Sequence, residues 1–356
     1  MALAAFLLLC GMLFENARGE GVLRFDRAAV RLLQFTDLHL GEDAAADRRT
    51  LALMRALVAR ERPDFIVFAG DQVTGYETLT LEQRAGLWNR ALSVAADARV
   101  PFATLFGNHD DQPYHLDLLL WHEVAKHLLI VEAAVCAALA LWLGKAAQRA
   151  WGAFALCGAL GLAVSATTPS SATRVVLVSQ ERRAYPAWSY TEAGPPELHG
   201  ASNYRVRLEL PGAVIVPLYF IDSGGGQIES AIRPEQIAWL RGFPPAECAL
   251  AFVHIAPLHF GAAFRPDECE GEAPRENASA CPGSEALLQT LRDLGVRGVF
   301  VGHDHGNAWC CASGAMRLCY GKHSGFGGYS LHGERGARVI EVNGSSIITT
   351  RVALWP

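Results

Sequence analysis

Five short clusters of metal-ligating residue types recur in order along this 356-residue chain. They are Asp37-Leu38-His39, Gly70-Asp71, Gly107-Asn108-His109-Asp110, the single His254, and Gly302-His303-Asp304-His305. Aspartate, asparagine and histidine offer the oxygen and nitrogen donors that Zn²⁺, Fe or Mn²⁺ accept. Side chains at i and i+2 on extended backbone share one face. That spacing predicts that Asp37 and His39 point into one pocket, and that His303 and His305 do the same. Seven ligand candidates are too many for one tetrahedral centre and suit two ions, with a shared carboxylate holding them about 3.5–4 Å apart. Such a pair clamps the attacking and leaving oxygens of an in-line displacement at phosphorus. It also lowers the pKa of a bound water, so that hydroxide forms near neutral pH. Only Asp37 and Asp71 among the candidates are anionic. Two dications therefore leave the centre net positive, which favours phosphate.

Each cluster follows an apolar run that reads as a strand: Val30–Phe35, Phe65–Phe68, Phe102–Phe106, Ala249–Val253 and Val296–Val301. Helical periodicity over Thr50–Arg60, stopped by Pro63, and a helix over Leu79–Ala98 separate the first three. Val214–Ile221 reads as a strand despite Pro217 and runs into Asp222-Ser223-Gly224-Gly225-Gly226. Pro234–Arg241 reads as a helix with proline in its first turn, and Ser284–Leu294 as another. Short strands over Met316–Tyr320, Ala337–Val342 and Ser346–Val352 close the chain. Strand–helix alternation indicates an α/β layered core. Open α/β sheets bind ligands at the carboxyl ends of their strands, which is where these clusters fall.

With 51% hydrophobic and 19% charged residues the chain has ample core material, which excludes a disordered protein. A net charge of −5 without a long basic run indicates no nucleic-acid surface. The mean hydropathy of +0.16 is high and traces to two regions. The run Leu3–Phe14, followed by Asn16-Ala17-Arg18-Gly19, resembles the apolar part of a signal peptide, although no Lys or Arg precedes it. Residues 1–19 are read as a signal peptide or an apolar N-terminal segment. Leu128–Gly144 and Gly152–Thr168 are 17 residues each, with Glu132 inside the first. As helices they would be about 26 Å long, at the short limit for a bilayer core of about 30 Å. Residues 114–172 are therefore read as a hydrophobic helical insertion: a membrane hairpin giving membrane contact through 128–168, a buried helical pair, or a gene-model artefact. The core tolerates any of these, because loop-closure cost grows slowly with length.

Six of the nine cysteines lie in the C-terminal half. Cys269 with Cys281, and Cys310 or Cys311 with Cys319, are expected to close short loops as disulfides. Asn277-Ala278-Ser279 and Asn343-Gly344-Ser345 are N-glycosylation triplets. Together these features indicate the secretory pathway, extracellular or vacuolar, with a cytoplasmic or membrane-associated location as the alternative.

Taken together, the clusters resemble the calcineurin-like metallophosphoesterases, with their D-x-H, G-D, G-N-H-[D/E], lone His and G-H-x-H blocks. The resemblance is closer to the Dcr2-like and purple acid phosphatase 29-like branch of fungi and plants. Pro63–Gln72, Tyr219–Gly224, Phe300–His305 and Cys319-Tyr320-Gly321 carry it, over about residues 30–113 and 200–342. It implies a four-layer αββα sandwich formed by residues 28–113 and 173–356, with a dimetal site at the sheet edges. It implies that Asp37, His39 and His305 hold the first ion, that Asp71 bridges, and that Asn108, His254 and His303 hold the second. His109 would face the phosphate, stabilise developing charge and protonate the leaving oxygen, and Asp110 would orient its ring. Two departures stand out. Thr74 occupies the position of the metal-binding tyrosine of purple acid phosphatases, so their colour is not expected. The sequence after His254 is Ile255-Ala256-Pro257, one residue longer than the branch's His-Ile-Pro.

The resulting expectation is a phosphomonoesterase using a metal-bridging hydroxide, with a phosphoprotein, nucleotide or small phosphate ester as substrate. Alternatives are a phosphodiesterase acting on nucleotides or lipids and, from a different class, a metal-binding pseudoenzyme or membrane-associated interaction protein. His199, His323 and His332 read as solvated loop histidines, and His259 as uninvolved. Asp222-Ser223 reads equally as a site-shaping turn or a plain one, and Trp188 and Tyr190 as packing residues.

Overall fold

A computed structural model describes residues 21–75, 80–112, 172–331 and 333–355. The expected N-terminal segment, nearly all of the expected insertion, and His332 lie outside these residues. The described chain forms two sheets flanked by helices. The smaller sheet has the order β13-β12-β2-β3-β4, where β2 is Ala29–Phe35, β3 Phe65–Ala69, β4 Phe102–Leu105, β12 Arg335–Asn343 and β13 Ile347–Trp355. Its β2, β3 and β4 are mutually parallel. The larger sheet has the order β1-β5-β6-β7-β9-β11-β10-β8. Its strands are β1 Gly21–Arg24, β5 Tyr204–Leu210, β6 Val214–Ile221, β7 Ala249–Val253, β8 Cys269–Glu270, β9 Val296–Val301, β10 Cys310–Ser313 and β11 Met316–Tyr320. Here β6, β7, β9 and β11 run parallel.

The layers follow from the side-chain alternation of the strands. In β3, Phe65, Val67 and Ala69 enter the core between the sheets, where Phe220, Phe252 and Phe300 of the larger sheet meet them. Ile66 and Phe68 point the other way, under the helices. A strand buried on both faces must be apolar throughout, which is why Phe65–Ala69 shows no polar alternation. Helices α1 (Ala44–Glu61), α2 (Leu81–Asp97) and α3 (Ala172–Ala184) cover the smaller sheet, and α4 (Pro234–Arg241) and α5 (Leu287–Asp293) cover the larger. The result is four layers, helices–sheet–sheet–helices, the αββα order that the resemblance implies. Among the described residues no helix is long and apolar enough to cross a membrane.

Capping chemistry sets the helix ends. Helix α1 begins six residues before the apolar periodicity does, because Asp43 accepts a hydrogen bond from Ala46 N at 2.7 Å. Thr80 and Gln83 form a reciprocal capping box that starts α2 at Leu81. Helix α5 starts later than expected. Ser284 is instead held in a turn, its hydroxyl donating to Cys281 O and accepting from Leu258 N. Trp188 and Tyr190 pack as expected, one beneath the helices and one between the sheets.

The disulfide expectation is half overturned. Strand β8 pairs with β10 so that Cys269 faces Cys311, and β10 pairs with β11 so that Cys310 faces Cys319. Among the described residues the disulfides are Cys269–Cys311 and Cys310–Cys319. Cys281 is a buried free thiol, not the partner of Cys269.

Candidate active site

All five clusters lie where parallel strands of the two sheets end: β2, β3 and β4 on one side, β7 and β9 on the other. The backbone there is not extended, which corrects the i, i+2 expectation. Asp37, His39, Asp71 and His303 have φ of 57°, 46°, 53° and 70°, four of the seven non-glycine residues with positive φ among those described. Such conformations cost on the order of 1–3 kcal/mol each and persist only where the surroundings enforce them. Here the turns are laced together: Asp37 N donates to Gly70 O, His39 N to Asp71 O and Gly302 N to His254 O, each at 3.0 Å. Left-handed turns, not strand alternation, bring Asp37 and His39 together.

The glycines of the clusters answer to close packing. A Cβ on Gly70 would fall 2.3 Å from His254 Nδ1, and one on Gly107 would fall 2.1 Å from Asp71 Oδ1. Each glycine leaves room for a candidate ligand contributed by another strand.

Among the described residues three groups of ligand atoms, each within 4.8 Å of one another, result: Asp37, His39 and His305; His39, Asp71 and His109; and Asp71, His254 and His303. Asp71 Oδ2 lies 3.2 Å from His254 Nε2 and 3.7 Å from His39 Nε2, while its Oδ1 accepts from His109 N at 2.7 Å. Asp37 accepts from His303 N and from the Thr36 hydroxyl. The ring of His254 is oriented by Ala69 O, which faces Nδ1 at 2.9 Å, and that of His305 by Tyr329 O, which faces Nδ1 at 2.7 Å. A carbonyl fixes the proton on Nδ1 and leaves Nε2 as a lone pair. Both lone pairs are aimed at carboxylates.

Such an arrangement calls for a cation. Burial opposes charge on His254, but the Asp71 carboxylate outweighs it and raises the imidazole to about 10. Burial alone would raise Asp71, and facing His254 holds it well below the usual carboxylate range. His39, desolvated and beside His305 and His109, is pushed down to about 3 despite the Asp71 carboxylate. Its Nε2 lies 3.2 Å from that of His305, close to the roughly 3.3 Å edge of a tetrahedron with metal–nitrogen bonds of about 2.05 Å. Among the described residues, Asn108 Oδ1 has no hydrogen-bond partner and is buried. These features fit metal ions held by Asp37, His39, Asp71, Asn108, His254, His303 and His305.

Asp110 has a structural task of its own. Its carboxylate accepts from the backbone N–H groups of Gly107, Asp71 and Val73 at 2.8–3.0 Å, tying the β3 and β4 loops together. Burial, with the nearby Asp71 charge, pushes it up to about 7 against those hydrogen bonds. His323 is not solvated: it is buried, with its ring 3.9 Å from that of His305. His199 is half-buried against Glu229 O. His259 is exposed in a short 3₁₀ turn.

Sequence reasoning also missed two supports. Buried Arg174 donates to Asp111 and Asp222 at 2.6–3.0 Å and to the carbonyls of Gly107 and Gly225. Asp222 thus shapes the site and is no plain turn. The loop Ser324–Tyr329 lies across the first cluster, with Ser324 N on Thr36 O and Gly325 N on Asp37 O. Its three glycines within four residues were the available signal.

The sequence profile of the calcineurin-like phosphoesterases matches residues 30–143. The similarity to that family covers about a third of the chain. Two Arabidopsis thaliana proteins are similar over most of it. "Probable inactive purple acid phosphatase 29" is 24% identical over 90% of this chain and 79% of its own length, and "Probable inactive purple acid phosphatase 28" is 26% identical over 90% and 77%. Among solved structures, a dimetal phosphatase from Danio rerio is 12% identical with a TM-score of 0.47, covering 92% of this chain and 99% of that one. The matched residues include the Asp37–His39, Gly70-Asp71 and Gly107–Asp110 blocks, and His254 and Gly302–His305 follow outside them.

Proposed function

We propose that this protein is a dimetal-dependent phosphomonoesterase. The observation that carries the reading is Asp71, whose carboxylate stands between His39 and His254 and so between two groups of donors. In this reading Asp37, His39 and His305 hold one ion, Asn108, His254 and His303 the other, and Asp71 both. When bound, the ions supply Lewis acidity toward phosphate oxygens and lower the pKa of water at the centre. The chain's own part is to orient. Ala69 O and Tyr329 O set the rings of His254 and His305, and the Arg84 guanidinium holds the carbonyls of His109 and Asp110 at 3.1 and 2.6 Å. His109 is half-buried, with a ring nitrogen within 4.8 Å of ligand atoms of His39 and Asp71. From there it protonates the leaving oxygen.

The two Arabidopsis relatives described above carry the word "inactive" in their names, which makes a pseudoenzyme the competing reading. The presence of all seven candidate ligands and of His109 supports turnover instead. The two disulfides support an oxidising compartment, secretory or vacuolar. The test is hydrolysis of p-nitrophenyl phosphate beside bis(p-nitrophenyl) phosphate by purified protein of known metal content. Preference for the monoester supports the proposal. Preference for the diester makes the protein a phosphodiesterase, and metal-loaded protein that turns over neither is a pseudoenzyme.

A further inference from the structure

We propose that Tyr329 is a specificity-determining residue whose open ring face receives the aryl group of an aromatic phosphate ester. The inference rests on the phosphoesterase reading above and names a substrate class for that site.

Tyr329 is the most exposed large apolar side chain among the described residues, at 50%. It is nonetheless held firmly. Its ring lies 4.0 Å from that of His305 with 9° between the planes. The His323 ring lies 3.9 Å from the same imidazole. Two rings at such distances cannot share one face, so His305 is sandwiched between them. The inner face of Tyr329 is therefore occupied and its outer face is open. The hydroxyl is committed as well: it donates to Glu276 Oε2 at 2.9 Å and accepts from His305 N at 3.2 Å. What Tyr329 offers a substrate is a π-face, with its orientation already fixed.

The loop places that face beside the centre. Gly328 has φ +70°, and a Cβ there would fall 2.9 Å from His305 Cε1 and 3.0 Å from His39 Cδ2. The residue before Tyr329 thus touches two candidate ligands of one ion. Exposed Leu331 extends the apolar rim, because a Cβ on Gly306 would meet its Cδ1 at 2.8 Å. In this proposal a phosphate ester at the centre directs its aryl group out past Tyr329 and Leu331. Offset stacking on a pre-positioned ring is worth roughly 3- to 10-fold in binding.

The test compares phenylphosphonate with methylphosphonate in calorimetric titrations of the wild type, Tyr329→Phe and Tyr329→Ala, at matched metal content. KM values for phenyl phosphate and glycerol 2-phosphate are measured alongside. The expected result is that Tyr329→Ala weakens phenylphosphonate 3- to 10-fold more than methylphosphonate, raises KM for phenyl phosphate by a similar factor, and that Tyr329→Phe keeps the aryl preference. Equal weakening of both phosphonates would overturn the proposal and reduce Tyr329 to a support for His305. An aryl preference that survives in Tyr329→Ala would overturn it too. Because the phosphonate arm does not need turnover, a catalytically inert protein would contradict the phosphatase reading while this arm still decides the role of Tyr329.

Discussion

Asp71 Oδ2 stands 3.2 Å from His254 Nε2, although the two residues end strands of different sheets. Asp71 follows β3 in the smaller sheet and His254 follows β7 in the larger. The contact therefore closes the sandwich at its active edge, and Ala69 O fixes the ring that makes it. A neutral imidazole would turn its lone pair toward the carboxylate, so a proton or a metal ion must lie between them.

His109 tests the division of labour at the centre. If it acts as the acid, His109→Ala should lower kcat about 10²- to 10⁴-fold on an ester with a poor leaving group. The loss should be smaller on p-nitrophenyl phosphate, whose leaving group needs little protonation. Metal content, measured by elemental analysis, should not change. Loss of an ion together with the activity would instead make His109 a ligand.

Arg174 tests the architecture behind the site. Its guanidinium and the carboxylates of Asp111 and Asp222 are all fully buried. Arg174→Met leaves two buried carboxylates without their cation, which costs about 3–5 kcal/mol. Urea denaturation should show a loss of that size, and a change below about 1 kcal/mol would show that water or another group compensates.

Glu181 gives a pH signature. It is buried and accepts from Trp88 Nε1, Thr104 Oγ1 and Ser189 Oγ. Burial raises its pKa above 4.5 in spite of those donors. The native state therefore binds its proton more tightly than the unfolded chain does. The resulting stabilisation is full below pH 4.5 and is lost as pH rises through the raised value. The unfolding free energy of the wild type minus that of Glu181→Gln should fall across that window. A difference independent of pH would contradict the account.

The disulfides make separable predictions. Non-reducing peptide maps should recover Cys269–Cys311 and Cys310–Cys319, with Cys281 alkylated only after denaturation. Sequence separations of 42 and 9 residues correspond, in the loop-entropy account, to about 4 and about 3 kcal/mol. Cys269→Ser should then lower stability by roughly 1 kcal/mol more than Cys319→Ser. A Cys269–Cys281 peptide would refute the register of β8 on β10.

Much of this site was legible in the sequence because each cluster follows an apolar run, and a polar turn after a buried strand lies on the ligand-binding edge. What sequence could not supply was the mechanism of convergence. Asp37 and His39 share a pocket through left-handed turns that no spacing rule encodes. His323 looks like a loop histidine until the fold sets its ring against those of His39 and His305. Asp110 is next to His109 in sequence but spends its carboxylate on backbone groups of two loops. Arg174, Asp111 and Asp222 come from three distant segments, and the partner of Cys269 depends on a two-residue strand too short to show a pattern.

The central claim is that Asp71 is shared by two bound ions. Its most direct test is metal content and p-nitrophenyl phosphate turnover measured together on the wild type and Asp71→Asn. Outer-shell changes at metal centres cost about 10- to 100-fold, so loss of a bridging ligand should cost at least about 100-fold. The account predicts two ions per wild-type chain, and fewer in the variant with turnover down by at least that factor. A variant that keeps both ions and the wild-type rate, or a wild type that binds no metal, would contradict it.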